Sequence, residues 1–219
     1  MNSAAQHEKV RKVFDRWAQL GRAEGMEQGH GPSAREAFER LELGLGGRYL
    51  DVGCGNGYTV RWAAKGMPEG LAVGLDLSSE MVALARTASG GFNNTLFVNE
   101  SFPSERLHAP EIKGQGFDGI FSMEVFYYFP DLDSALGDVR RLLRPGGRFV
   151  CVVDFYQENE ASHSWPKDLD VPMTLLSESG WRQAFEAAGL RVLEQGRIGR
   201  GSAEGWKLEE GSLMTVGTL

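Results

Sequence analysis

Apolar residues recur along this chain with two periods. Val10, Val13, Phe14 and Trp17 fall at i, i+3, i+4 and i+7, one stripe on a helix over roughly residues 4–20. Gly21, Gly25, Gly29, Gly31 and Pro32 then predict a break, and Ser33-Ala34-Arg35-Glu36 has the form of a capping box opening a helix to about Leu43. From Arg48 the pattern becomes short apolar runs alternating with helical stripes. Strands are predicted at 49–52, 71–75, 95–98, 117–123 and 148–153, with helices after the first and second, at 132–143 and at 178–188. Ser78 stands as the N-cap of a helix that places Met81, Leu84 and Ala85 on one face. Two last strands, near 190–198 and 212–218, have no helical crossover between them, only a Gly-rich polar stretch, and form an antiparallel pair at one edge.

Strands apolar on both faces and alternating with helices predict a Rossmann-like doubly wound α/β sheet. It has about seven strands, mainly parallel with an antiparallel edge strand, and an N-terminal helical cap. Residues 1–45 are expected to form the cap or lid, and 46–219 the core.

Composition narrows the function classes. The net charge is −7 and the pI about 5.2, without the basic stripe that phosphate contacts require. The basic cluster Arg140, Arg141 and Arg144 ends a predicted helix, where it complements the helix dipole. No nucleic-acid partner is expected. The two cysteines, Cys54 and Cys151, make neither a metal nest nor a disulfide framework, so no metal is expected. The N-terminus is too polar for a signal peptide, and no apolar run spans a bilayer. A cytoplasmic protein follows.

The chemistry concentrates at residues 49–57, Tyr-Leu-Asp-Val-Gly-Cys-Gly-Asn-Gly, where a strand enters a glycine loop that opens a helix. Glycines let the backbone turn tightly and approach a ligand, and Asp76, at the end of the second strand, can accept both hydroxyls of a ribose. An adenosine-bearing ligand is implied. Two features argue against a dinucleotide: Tyr58 replaces the third fingerprint glycine, and Asp51 stands just before the loop. Two unit charges ~4 Å apart interact by about 4 kcal/mol at an effective dielectric of 20, so Asp51 would repel a diphosphate. The same carboxylate would favour a ligand with an ammonium and a sulfonium.

The string at 49–57 resembles motif I of class I S-adenosylmethionine-dependent methyltransferases. Gly74-Leu75-Asp76-Leu77-Ser78 with Met81, Phe117-Asp118-Gly119-Ile120, and Arg144-Pro145-Gly146-Gly147 are similar to that family's following motifs, in the same order. Within it the chain is most similar to the small-molecule branch that includes quinone-biosynthesis-type methyltransferases. The resemblance implies S-adenosylmethionine as donor, S-adenosylhomocysteine as product and a small-molecule acceptor. It also implies that Asp51, Gly53, Cys54, Gly55, Asn56 and Gly57 surround the methionine part and that Asp76 binds the ribose. Leu77 and Met81 would then flank the adenine, and Ser122, Met123 and Glu124 pass under the donor. Where the family often has Gly-Asp-Ala, this chain has Asn99-Glu100-Ser101, and Glu100 is the residue able to reach the adenine amino group.

Ligands of open parallel sheets lie beyond the carboxyl ends of the strands. Trp17, Met26, Glu124, Tyr127, Tyr156 and Trp165 are therefore expected in an aromatic acceptor pocket. His30, His163 and Tyr128 are the candidates for a catalytic base. Two other readings stay open: an NAD(P)-dependent oxidoreductase, and a non-catalytic S-adenosylmethionine-binding protein.

Overall fold

The computed structural model describes residues 3–200 and 205–219. Two helices, α1 (Ser3–Gln19) and α2 (Arg22–Phe38), precede a core of β1 (Arg48–Val52), α3 (Tyr58–Gly66), β2 (Leu71–Asp76), α4 (Ser79–Ala88) and β3 (Thr95–Asn99). The chain continues through the short α5 (Pro110–Lys113), β4 (Phe117–Met123), α6 (Leu132–Leu142), β5 (Leu143–Val153) and the short α7 (Trp165–Asp168). It ends with α8 (Glu178–Ala187), β6 (Arg191–Ile198), the short α9 (Trp206–Glu209) and β7 (Ser212–Thr218).

The strands form one seven-stranded sheet in the order β3-β2-β1-β4-β5-β7-β6. β1 pairs in parallel with β2 and β4, and β7 runs antiparallel to both β5 and β6. This is the doubly wound sheet with an antiparallel edge pair that the pattern predicts. Part of the Gly-rich stretch between the last two strands, residues 201–204, lies outside the described residues.

Strand alternation separates two cores. Leu50, Val52, Ile120, Phe149, Cys151 and Leu213 face one layer with Leu136 and Val139 of α6 and Trp181 and Phe185 of α8. Tyr49, Phe121, Val150, Val152 and Met214 face the other, against Ala34 and Ala37 of α2, Val60 and Ala63 of α3, and Val82 and Ala85 of α4. The order reverses between β1 and β4, so their carboxyl ends splay apart and leave a crevice where ligands of such sheets bind.

Three expectations for the N-terminal segment need correction. The glycines of residues 21–32 do not break the chain; α2 runs through Gly25, Gly29, Gly31 and Pro32, and Gly21 alone, at φ 70°, separates it from α1. Ser33 is therefore inside a helix rather than capping one. It accepts a hydrogen bond from the Ser212 hydroxyl (3.1 Å), while Glu36 accepts one from the Gly199 N–H (3.0 Å). Helix propensity is a weak prior, and these contacts together with buried Ala34 and Ala37 outweigh it. That helix stops at Phe38, and a single tighter turn, Glu39–Leu41, follows.

On α4 the cap at Ser78 forms, its hydroxyl accepting from the Met81 N–H (3.1 Å), but Leu84 is 40% exposed and Val82 takes the packed position. The basic cluster also has specific partners beyond the helix dipole. Arg141 pairs with Asp138 (2.7 Å) and Arg144 with Asp118 (2.6 Å).

Phe149 is fully buried, stacked on Phe185 at 5.1 Å between ring centroids and tilted against Phe126 at 5.0 Å. Phe149→Ala is expected to lower stability by about 3–5 kcal/mol. Leu84→Ala is expected to change it by less than about 0.5 kcal/mol. Urea melts of the two variants, read at constant slope, check both values.

Candidate functional site

The crevice between β1 and β4 holds a cavity of about 120 Å³. Its floor is the glycine loop, whose geometry explains its composition. Gly53, Gly55 and Gly57 adopt φ of 78°, 52° and 78°, a region that L-residues avoid. The Gly53 and Cys54 N–H groups both donate to the Leu75 carbonyl, at 2.8 and 3.0 Å. The Gly55 N–H donates to Asp76 Oδ2 (2.8 Å) and the Gly57 N–H to the Cys54 carbonyl (2.8 Å). Four amides of the loop are thus engaged within the protein.

Two of the carboxyls that border the cavity come from the adjacent strands β1 and β2. Asp51, on β1, is 3% exposed and accepts a short hydrogen bond from the Thr59 hydroxyl of α3. Burial pushes its pKa up to about 7, against the Thr59 bond. Asp76, at the end of β2, holds the Ser78 N–H on Oδ1 (2.8 Å) and the Gly55 N–H on Oδ2. Burial lifts it to about 6, opposed by those two bonds. Asn56, also on the wall, has an Oδ1 buried without a hydrogen-bond partner among the described residues. The arginine of the wall, Arg11, is engaged by Glu8 (2.8 Å) and Asp15 (2.9 Å). The wall is therefore rich in acceptors, and its arginine is already paired.

Helices α1 and α2 border this cavity and are tied to the core. Asp15 of α1 accepts from the Ser78 hydroxyl (2.7 Å), and Glu27 of α2 accepts from the Asn56 amide (2.7 Å) with Arg61 at 3.6 Å. Gln6 donates to the Tyr128 carbonyl (2.8 Å).

A second cavity of about 560 Å³ adjoins the first. Phe14, Met26, His30, Glu124 and Tyr128 line both. Trp17, Tyr127, Trp165, Arg22 and Asp168 complete much of the larger wall. His30 is half-buried, and desolvation, with Lys207 nearby, lowers its pKa to about 4. Burial pushes the Tyr128 hydroxyl upward.

Of the residues singled out in the sequence, Asp51, Gly53, Cys54, Gly55, Asn56, Asp76, Leu77, Met81, Glu100, Ser101 and Met123 line the first cavity. Trp17, Met26, His30, Glu124, Tyr127, Tyr128 and Trp165 line the second. Four lie elsewhere. Gly57 stands behind the loop as the residue before α3, where a side chain would meet Phe97 and Ala85. The Ser122 hydroxyl donates to the Val52 carbonyl (2.9 Å), fastening β4 to β1. Tyr156 donates toward the carbonyls of Glu210 and Gly211 (3.1 Å each), and exposed His163 contacts the Gln157 carbonyl (3.1 Å). Sequence reasoning missed Thr59, His7, Val10, Arg11 and Phe102, all on the first wall. The α1 stripe signalled the helix but not the cavity it covers.

A family model described as a methyltransferase domain matches residues 44–189. A solved chain from the complex between the Haloferax volcanii Trm112 methyltransferase activator and a methyltransferase is 32% identical with a TM-score of 0.83, covering 94% of this chain and 96% of that one. An O-methyltransferase of Pyrenophora dematioidea is 28% identical over 73% of this chain and 60% of its own length. A demethylmenaquinone methyltransferase of Symbiobacterium thermophilum is 27% identical over 66% of this chain and 56% of its own. The chain spans between 38% and 66% of the length of curated relatives such as these. It belongs to the methyltransferase-domain family, within the class I S-adenosylmethionine-dependent methyltransferase superfamily.

Proposed function

We propose that this protein transfers the methyl group of S-adenosylmethionine to a small organic acceptor. The observation that carries the reading is the acceptor-rich wall at the switch point, joined through shared residues to a larger aromatic cavity. S-adenosylmethionine supplies a methyl group already activated on a positively charged sulfur. The protein's task is alignment and exclusion of water, and alignment alone can be worth about 7–11 kcal/mol.

In this reading Asp51 and the Asn56 Oδ1 face the cationic methionine part, with Gly53, Cys54 and Gly55 as the close-approach surface. Each Asp76 oxygen keeps a lone pair beyond its backbone bond, enough to receive the ribose diol. Leu77 and Met81 flank the adenine, Glu100 and Ser101 border it, and Met123 lies beneath the donor. Gly57 and Ser122 act from behind, by shaping the loop and fastening the strands. A dinucleotide fits poorly, because its diphosphate would meet Asp51 and a loop whose amides are engaged. Residues 1–45 serve as a lid over the core at 46–219. Their polar contacts to it are worth about 0.5–1.5 kcal/mol each, weak enough to open for ligand entry.

Calorimetry is expected to register S-adenosylmethionine and S-adenosylhomocysteine binding and no NAD binding. NAD binding without either of the other two would reverse the reading.

Asp76→Ala is expected to weaken S-adenosylhomocysteine binding by about 1.5–3 kcal/mol, the usual worth of a hydrogen bond to a charged group. An unchanged dissociation constant, in a protein with unchanged circular dichroism, would remove the ribose assignment.

Asp51, raised to about 7, carries a proton in the free protein at pH 6. The ligand's ammonium, placed beside it, favours its ionised form, so binding there expels that proton and rising pH strengthens binding. Affinity for S-adenosylhomocysteine is expected to climb by up to about tenfold between pH 6 and 7. It should then level off before the ligand's own amino group titrates near ~8. Asp51→Asn should flatten the climb, and a wild-type affinity independent of pH would contradict the assignment.

A further inference from the structure

Where the two cavities meet, one ionisable group lines both. Glu124 directly follows β4 and is 8% exposed, with φ at 62°. A non-glycine residue held there costs on the order of 1–3 kcal/mol, a strain that recurs at functional positions. Its Oε1 accepts the Asp154 N–H (2.5 Å) and its Oε2 the Tyr127 hydroxyl (2.9 Å). Both bonds favour the carboxylate form. The groups acting on it come from every side: Asp154 after β5 with Lys207 paired to it at 2.8 Å, Tyr127 and Tyr128, and Tyr58 of α3. His30 of α2 shares both cavity walls with it, and Cys151 of β5 lies within its field. Burial first, then Asp154, push its pKa well above the usual carboxylate range against Lys207 and the two hydrogen bonds, so that once ionised it is a strong base.

The surrounding wall is a set of rings, Phe14, Trp17, Tyr127, Tyr128 and Trp165. The fixed charges of the wall come near balance: Arg22, 5.9 Å from the Trp17 ring centroid, shares it with Asp168 and Glu124, and Lys207 is paired with Asp154. The donor's sulfonium then adds a positive charge beside the acceptor. An ammonium acceptor would meet that charge, whereas an oxygen gaining negative charge would be stabilised by it.

We infer that the acceptor is an uncharged, flat hydroxyl compound held among these rings, and that Glu124 receives its proton. This rests on the methyl-transfer reading above. The acceptor oxygen forms the new C–O bond as its O–H proton passes to the Glu124 carboxylate, and the S–CH₃ bonding pair returns to sulfur. The products are a methyl ether, a neutral thioether and a neutral carboxyl. His30, at about 4, is a much weaker base near neutrality.

The test uses the full chain saturated with S-adenosylhomocysteine, whose binding is measured first, so that failure of the donor reading shows separately. Naphthol and naphthylmethylammonium are then titrated by calorimetry. Naphthol is expected to bind at least about tenfold more tightly, a difference of ~1.4 kcal/mol. Tighter or equal binding of the ammonium, or binding of neither, overturns the acceptor class.

With S-adenosylmethionine, wild type is expected to form the naphthyl methyl ether. Glu124→Gln, retaining naphthol binding, should form it on the order of 10²–10⁴ times more slowly. No ether from wild type, or equal rates, overturns the role of Glu124. Should that variant not fold, Tyr127→Phe removes one hydrogen bond from the carboxylate and should move the half-maximal pH of turnover upward. An unmoved profile likewise overturns it.

Discussion

The site depends on one backbone acceptor. The Leu75 carbonyl receives two consecutive N–H groups, those of Gly53 and Cys54, and so fixes the loop after β1 against the end of β2. Only glycine readily takes the dihedral angles this demands. With the loop fastened, the Gly55 N–H meets Asp76, and two carboxyls from adjacent strands border one cavity. Amides that would otherwise point at an anion are turned inward. A glycine loop of the kind usually associated with phosphate becomes a surface of acceptors, through hydrogen bonding rather than through a change of fold.

That arrangement carries an energetic tension. Asp51 and Asp76 are both buried, and burial raises both toward neutrality, against the hydrogen bonds from Thr59, Ser78 and Gly55 that hold them down. A group raised this way is a stability liability when it ionises alone, because desolvation disfavours its charge. A cation in the cavity reverses the sign. The α1 and α2 side chains on the wall matter for the same reason: apolar groups in place of water lower the local dielectric and strengthen whatever attraction the carboxyls offer. Helices, loop and carboxyls therefore act as one electrostatic unit drawn from separate parts of the chain.

The core of this picture is legible in the sequence because local patterns encode it. Strand alternation, the Ser78 cap and the string at 49–57 each act within a few residues, and the observed sheet follows them. What was misread depends on distant partners. Glycines and a proline read as a break become one helix because Ala34, Ala37, Ser33 and Glu36 find contacts on the sheet side and near β7. Leu84 and Val82 are two positions apart on α4, and only the packed fold says which faces inward. Tyr156 and His163 follow β5 as expected, yet the chain there folds back on itself and points them elsewhere. Thr59 escaped notice because a hydroxyl in the first turn of a helix is common, and its significance comes only from Asp51 beside it.

The acceptor end has no comparable local code. The larger cavity is assembled from α1, α2, the turn after β4 and α7, segments with no fixed spacing between them. A donor common to a superfamily can be held by a contiguous motif, since the same ligand must be met each time. An acceptor that varies is better met by elements free to diverge, provided that one point remains fixed relative to the donor. The end of β4 is such a point. It is parallel-paired to β1, fastened by the Ser122 bond to Val52, and held in register with the strand bearing Asp51. A side chain placed immediately after it inherits the precision of the sheet while facing the variable wall. Glu124 occupies that position, with a backbone conformation the adjacent strands hold against its own preference.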